Sequence, residues 1–109
     1  MHIKINSRDF TVTTAMREFI QEKLTFALSR YAQRIRVAEI SLKDINGPRG
    51  GIDKQCIIKM KLNQFKTLVV EEQADDAYDA IGNSCRKAKR RVERHFNRSR
   101  TQSRRVNMA

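Results

Sequence analysis

The segment from Asp75 to Phe96 constrains the fold more than any other part of the chain, because its sequence is that of a two-faced helix. Its apolar residues recur at steps of three and four and so share one stripe: Tyr78, Ile81, Cys85, Ala88, Val92 and Phe96. Its basic residues fall on the opposite side: Arg86, Lys87, Arg90, Arg91 and Arg94. Asp75 or Asp76 suits the N-cap, where free N–H groups and the positive end of the helix dipole favour a carboxylate. One face is therefore expected to pack on a core, and the other to present cations to an anionic partner.

The positive charge of the chain is concentrated in the second half of this helix and beyond it. The formal net charge is +11. Residues 1–85 contain 13 basic and 11 acidic residues, whereas residues 86–109 contain 10 basic residues and a single acidic one, Glu93. Such asymmetry indicates a polyanionic partner. Most of these cations are arginines, which pair with phosphate in a bidentate way, and this favours nucleic acid over a merely solubilising surface.

Membrane association is disfavoured by the same sequence. No segment approaches the roughly 20 apolar residues of a membrane-spanning helix. The apolar face of the last helix is needed for the core, so it is not available to lie on a lipid surface. The N-terminal sequence MHIKINSRDF lacks the apolar region of a secretory signal. We therefore expect a cytoplasmic protein with no membrane partner.

The two cysteines and the acidic residues give little indication of chemistry. Cys56 and Cys85 occupy apolar positions, so in a reducing cytoplasm they are expected to be small buried residues; a redox-sensing pair is the alternative. No CxxC spacing or nearby histidine indicates a metal site. Asp75, Asp76 and Asp79 fit a helix start better than a two-metal nuclease site. We expect no enzymatic activity, no cofactor and no small-molecule substrate.

The rest of the chain is predicted to form four strands and one further helix. Alternating apolar residues indicate strands at 2–6, 37–46, 54–62 and 66–73. Thr13 is the expected N-cap of a helix from Ala15 to about Tyr31. The strand residues predicted to point inward are Ala38, Ile40, Leu42, Cys56, Ile58, Met60, Leu62, Leu68 and Val70. Residues 47–51, GPRGG, are interpreted as a hairpin connection, with phosphate contact through Arg49 as the alternative.

The element order β-α-β-β-β-α predicts an α+β fold, in which a four-stranded sheet carries two side-by-side helices on one face. Strands two to four form an antiparallel meander with one solvated face. The folded domain is expected to cover residues 1–97, and residues 98–109 to form a basic, disordered tail. The outward helix faces then make one surface, where Lys23, Arg30 and Arg34 flank the cations of the last helix.

Two helix starts give the chain a resemblance to a known family. The segments TVTTAMREFIQEKL (residues 11–24) and EEQADDAYDAI (residues 71–81) resemble the starts of the two helices in the ribosome hibernation-promoting factor and ribosome-associated inhibitor family. The resemblance covers residues 1–97. The chain differs in a longer, glycine-rich loop, NGPRGGIDK, and in a strongly basic tail, and it is expected to lack the extra dimerisation domain of long members.

The resemblance implies a fold like that of double-stranded-RNA-binding domains, and binding to small-subunit rRNA near the mRNA and tRNA path. Members silence ribosomes in stationary phase or stress, some by promoting ribosome dimers and others by holding single ribosomes inactive. Off the ribosome we expect a monomer. The residues expected to contact rRNA are Lys23, Arg30, Arg86, Lys87, Arg90, Arg91, Arg94 and Arg98. The alternatives from the residues alone are a general double-stranded-RNA-binding protein without ribosome preference and a small nuclease.

Overall fold

The structure, a computed structural model, describes residues 1–8, 10–45 and 54–108, with side chains as far as Asn97. Its strands are β1 (His2–Arg8), β2 (Ile35–Asp44), β3 (Lys54–Leu62) and β4 (Thr67–Ala74). Its α-helices are α1 (Thr14–Leu28) and α2 (Ala77–Met108), and a short 3₁₀ helix (Ser29–Arg34) links α1 to β2. The predicted order of strands and helices is confirmed. The glycine-rich segment with Arg49 lies outside the described residues.

The four strands form one mixed sheet in the order β1-β2-β3-β4. The pairs β2–β3 and β3–β4 are antiparallel, as the predicted meander requires, but β1 pairs in parallel with β2. A parallel neighbour needs a crossover connection, and α1 with the 3₁₀ helix supplies it. The alternation of apolar residues in β1 is the same for either strand direction, so the sequence pattern alone did not distinguish them.

The core lies between one face of the sheet and both helices. Every strand residue predicted to point inward is buried. From α1 the buried side chains are Met16, Ile20, Leu24 and Leu28, and from α2 they are Ala77, Ala80, Ile81, Ser84, Cys85, Ala88 and Val92. These residues form one continuous cluster. Both helices therefore cover the same sheet face, as predicted.

Two aromatic contacts fix the relative direction of the helices. Near the start of each helix, the rings of Phe19 and Tyr78 meet edge to face with centroids 5.0 Å apart. Further along, Tyr31 in the 3₁₀ helix stacks on Phe96 of α2 with centroids 5.1 Å apart. Because early residues meet early residues and late meet late, the two helices run side by side in the same direction. Phe19 is half-buried at this seam, at the edge of the core, whereas Phe26 is 80% exposed.

Both helix starts are capped by side chains chosen from the sequence. The Met16 backbone N–H donates to Thr13 Oγ1 over 3.1 Å, which confirms Thr13 as the N-cap of α1. At the start of α2 the Tyr78 backbone N–H donates to Asp76 Oδ1 over 2.8 Å, so Asp76 rather than Asp75 is the capping residue. These bonds satisfy amide groups that have no partner within the helix.

Replacing Thr13 with alanine should lower the free energy of unfolding by about 1 kcal/mol, because the Met16 amide loses its side-chain acceptor. Urea denaturation followed by circular dichroism measures this change. Thr14→Ala is the matched control, since Thr14 is exposed inside the first turn and alanine has the higher helix propensity. Equal stability of the two variants would contradict a capping role for Thr13.

The ends of the two helices differ from the sequence expectations. Regular α-helix in α1 stops at Leu28, and the backbone tightens into the 3₁₀ helix before β2. In α2 the helix continues to Met108, through the segment expected to be a disordered tail. That expectation relied on the loss of apolar periodicity, but no glycine or proline follows Phe96 to stop the helix. The division into a domain of residues 1–97 and a tail of residues 98–109 stays a prediction.

Candidate nucleic-acid interface

The outward face of α2 carries three exposed arginines, Arg86, Arg90 and Arg94, which we call the arginine row. Their spacing of four residues places successive side chains about one turn apart on the same face. The Arg86 guanidinium donates to Asn83 Oδ1, which orients it along the helix. Among the residues whose side chains the structure describes, no carboxylate forms an ion pair with these three arginines. The row therefore offers its hydrogen-bond donors to an external anion.

Lys87 and Arg91 lie to one side of this row, toward the sheet. The Lys87 ammonium is 3.2 Å from Glu72 Oε1 and donates to the Glu71 backbone carbonyl over 3.0 Å. Lys87 therefore ties α2 to the edge strand β4, and part of its charge is already neutralised. Arg91, one turn further along the helix, is half-buried. The five cations that the sequence placed on one face thus divide into an open row and a flank that faces β4.

The cations of α1 meet the arginine row across the seam between the helices. Lys23 is exposed, with its ammonium 5.6 Å from the centroid of the Phe19 ring. The positive charges of Lys23 and Arg86 both act to lower the pKa of the Cys85 thiol, although burial outweighs them. A cation from each helix therefore lies near the same point of the seam. Positive charge from both helices converges there on one solvent-facing surface.

The remaining predicted cations lie toward the far end of the helices. Arg30 is exposed in the 3₁₀ helix. Arg34 lies with its guanidinium carbon 4.9 Å from the centroid of the Phe96 ring. The side chain of Arg98 is outside the described part of the chain. Lys89 is also exposed on α2, although it is not among the predicted RNA contacts. Its position among the basic residues of α2 could have identified it.

The two cysteines are structural residues within the core. Both thiols are free and buried, which confirms their prediction as small buried residues. Cys56 Sγ lies 3.0 Å from Ser84 Oγ, and the Ser84 hydroxyl donates to the Ile81 carbonyl. Burial raises the pKa of Cys56 to about 11 and that of Cys85 to about 12. With these raised pKa values both thiols are protonated at neutral pH, and burial therefore disfavours a redox-sensing role.

The raised pKa values predict a loss of stability at alkaline pH. Unfolding exposes both thiols and returns each pKa to 9.0, so above pH 9 the unfolded state loses protons that the folded state retains. This contribution to stability is complete below pH 9 and disappears as the pH rises toward 11 to 12. Urea denaturation between pH 8 and 11 should show a steeper decline for the wild type than for a Cys56→Ala, Cys85→Ala variant. Parallel declines in the two proteins would contradict the raised pKa values.

Within the described residues, no group of three or more histidine, cysteine, aspartate or glutamate side chains is placed to hold a metal ion. No helix in that same part of the chain combines the length and apolar character needed to cross a membrane. The cationic surface of the two helices suits phosphate groups.

Comparison with known proteins agrees with this fold. A family model described as sigma 54 modulation protein / S30EA ribosomal protein matches residues 3–100. A ribosomal subunit interface protein from Coxiella burnetii has the same fold, with a TM-score of 0.74 and 21% identity over 89% of this chain and 99% of that one. The N-terminal domain of Protein Y from Thermus thermophilus aligns with a TM-score of 0.71 and 26% identity over 87% of this chain and 99% of the other. No curated protein matches the sequence significantly.

Proposed function

This chain belongs to the sigma 54 modulation protein / S30EA ribosomal protein family, and from that membership we propose that it is a ribosome hibernation factor. The resemblance of its helix starts to the hibernation-promoting factors is thereby confirmed. In the proposed role, the protein binds small-subunit rRNA near the mRNA and tRNA path in the cytoplasm of stressed or stationary-phase cells. The description of the family as a ribosomal protein and the name of one related structure, a ribosomal subunit interface protein, support a ribosomal partner.

The arginine row is the observation that carries the proposed mode of binding. Arginine forms bidentate bonds with phosphate, and a row at one-turn intervals supplies several such contacts along a backbone. Lys23 extends the surface onto α1 and Arg30 onto the 3₁₀ helix, and Lys87 and Arg91 widen it on α2. Arg98 stays a predicted rRNA contact. In this proposal the cations contact phosphates and not base edges. Recognition should therefore depend on the shape of the rRNA and only weakly on its base sequence, as in double-stranded-RNA-binding domains. The likeness of the fold to those domains, which the family resemblance implies, stays a proposal.

Inhibition by such a factor needs no chemistry. A bound domain that fills the path of mRNA and tRNA excludes both ligands by occupying their volume. The proposed protein therefore has no catalytic residue and acts only while it stays bound. Its family description names no enzymatic activity, which is consistent with this mode of action.

Sucrose-gradient sedimentation of a stationary-phase lysate tests the proposal directly. The protein should migrate with ribosomal particles at low salt, and the particle that it follows identifies its target: small subunit, single ribosome or ribosome dimer. Excess bulk tRNA separates this function from a general double-stranded-RNA-binding protein, because a general binder would be displaced and a hibernation factor retained. Recovery only at the top of the gradient would reject the ribosomal function.

Salt dependence provides a quantitative prediction for the same complex. With about 6–8 phosphate contacts, the logarithm of the association constant should fall against the logarithm of salt concentration with a slope on the order of −5 to −7. The slope reflects cations released from RNA phosphates when the protein's own charges replace them. Filter binding of labelled protein to purified ribosomes over a range of KCl concentrations measures it. A flat response would show that phosphate neutralisation does not dominate the affinity.

A further inference from the structure

The turn between β3 and β4 displays an aromatic side chain that the fold does not use. Phe65 is 89% exposed and has a φ of 61°, in the left-handed region that favours glycine and asparagine. The exposed ring gains little from burial, and the backbone conformation is unfavourable for phenylalanine. Exposure and strain at a single residue indicate a role outside the folding of the chain.

Hydrogen bonds hold this turn in a defined position against the 3₁₀ helix. The Asn63 backbone N–H donates to the Arg34 carbonyl over 3.1 Å, and Asn63 Nδ2 donates to the Gln33 carbonyl over 2.8 Å. Within the turn, the Phe65 N–H donates to the Leu62 carbonyl over 3.2 Å. The aromatic ring is therefore presented from an anchored loop.

A cleft bordered by this turn combines a cation with polar groups. Its lining includes Arg34, Asn63, Gln64, His95 and Phe96. The guanidinium of Arg34 makes a cation–π contact with the Phe96 ring, and the Tyr31 ring stacks on that same ring. These contacts orient the Arg34 side chain before any ligand binds. Asn63 uses its amide nitrogen on Gln33, which leaves its oxygen as an acceptor.

We propose that this end of the molecule binds an unpaired nucleotide of RNA. Its base stacks on the ring of Phe65, its phosphate pairs with Arg34, and the amides of Asn63 and Gln64 meet the edge of the base. Only an unstacked base can offer its face to an aromatic side chain, so a continuous duplex is excluded from the site. The inference rests on the proposed function in that RNA is the polymer bound, and it adds a single-stranded element to the contacts of the arginine row.

A tryptophan at position 65 makes this stacking observable. The chain contains no tryptophan, so Phe65→Trp introduces the sole indole fluorophore. A short single-stranded RNA oligonucleotide should quench its emission on binding, and a blunt duplex of the same sequence should not. Val69→Trp is the matched control, because Val69 is 52% exposed on the sheet face opposite the helices and should report no quenching. Unchanged emission of Trp at position 65 with saturating single-stranded RNA would overturn the site.

A second variant separates binding from stability. Phe65→Asn removes the ring and supplies a residue that tolerates the left-handed conformation, so the midpoint of thermal unfolding should stay the same or rise. Its affinity for the single-stranded oligonucleotide should fall about tenfold, while its affinity for the duplex is unchanged. Equal affinity of Phe65→Asn and wild type for the single strand would overturn the proposal.

The ribosome assay distinguishes failure of this site from failure of the proposed function. If Phe65→Asn keeps its oligonucleotide affinity but is lost from ribosomes, Phe65 contacts a protein, and the nucleotide site is wrong. If the wild type never sediments with ribosomes and Phe65→Asn still loses single-strand affinity, the nucleotide site stands while the hibernation function falls.

Discussion

Changing Arg86, Arg90 and Arg94 together to glutamate should abolish ribosome binding while the domain still unfolds cooperatively. Each arginine removed loses a charged hydrogen bond worth about 1.5–3 kcal/mol, so three weaken binding by at least about a thousandfold before repulsion is counted. The fold should tolerate the change because all three side chains are exposed and have no carboxylate partner among the described residues. Gradient sedimentation measures binding, and thermal melting by circular dichroism measures folding.

The matched control reverses the same number of charges on the other side of the molecule. Lys4, Lys43 and Lys59 are exposed strand residues, and each follows a residue that lies in the core or packs against it, so they lie on the open face of the sheet. Changing these three lysines to glutamate alters the net charge equally but should weaken binding only through long-range attraction. If both triple variants lose ribosomes equally, the overall charge of the protein governs binding and the arginine row does not.

The division of α2 into two faces was predictable because it depends only on residues within one helix. Steps of three and four place Ile81 and Val92 in the core, and both are fully buried. The same reasoning identified the exposure of Arg90 from its position on the opposite side. Caps were equally accessible, since Thr13 and Asp76 act on amides two or three residues away.

Features that depend on contacts between two different helices, strands or turns could not be predicted from the residue pattern of one segment. Lys87 looked like a free cation because its partners, on β4, are remote in sequence and meet it only after folding. The parallel pairing of β1 depends on the crossover through α1, which the alternation of strand residues does not encode. The strained conformation of Phe65 was missed since neither glycine nor asparagine marks that position as left-handed. The cleft bordered by the same turn assembles residues from the 3₁₀ helix, the turn and the middle of α2.

Ile81→Asp should unfold the domain, in contrast to the arginine substitutions on the same helix. Ile81 is fully buried between the sheet and α1, with the Ser84 hydroxyl bonded to its carbonyl. The variant loses about 2–5 kcal/mol of packing, and its carboxylate is left without water or a partner at a further cost of several kcal/mol. That total is comparable with the roughly 5–15 kcal/mol that stabilises a typical domain, so it is large enough to unfold a domain of ordinary stability. Collapse of the dispersed amide signals in a ¹H–¹⁵N spectrum, with loss of the cooperative melt, would report the unfolding.

Arg90→Asp is the control that tests whether the unfolding expected of Ile81→Asp is caused by burial of the aspartate. It introduces the same aspartate into the same helix, nine residues later and on the exposed face, so helix propensity and net charge change without any cost in the core. Ile81→Val keeps the apolar surface and should cost only about 1 kcal/mol. A folded Ile81→Asp variant, or an unfolded Arg90→Asp variant, would contradict the assignment of faces on α2. The proposed RNA contacts require that Ile81 faces the core and the arginine row faces solvent. If this stability experiment confirms those two faces, loss of ribosome binding in the arginine variants can be attributed to loss of RNA contacts and not to unfolding.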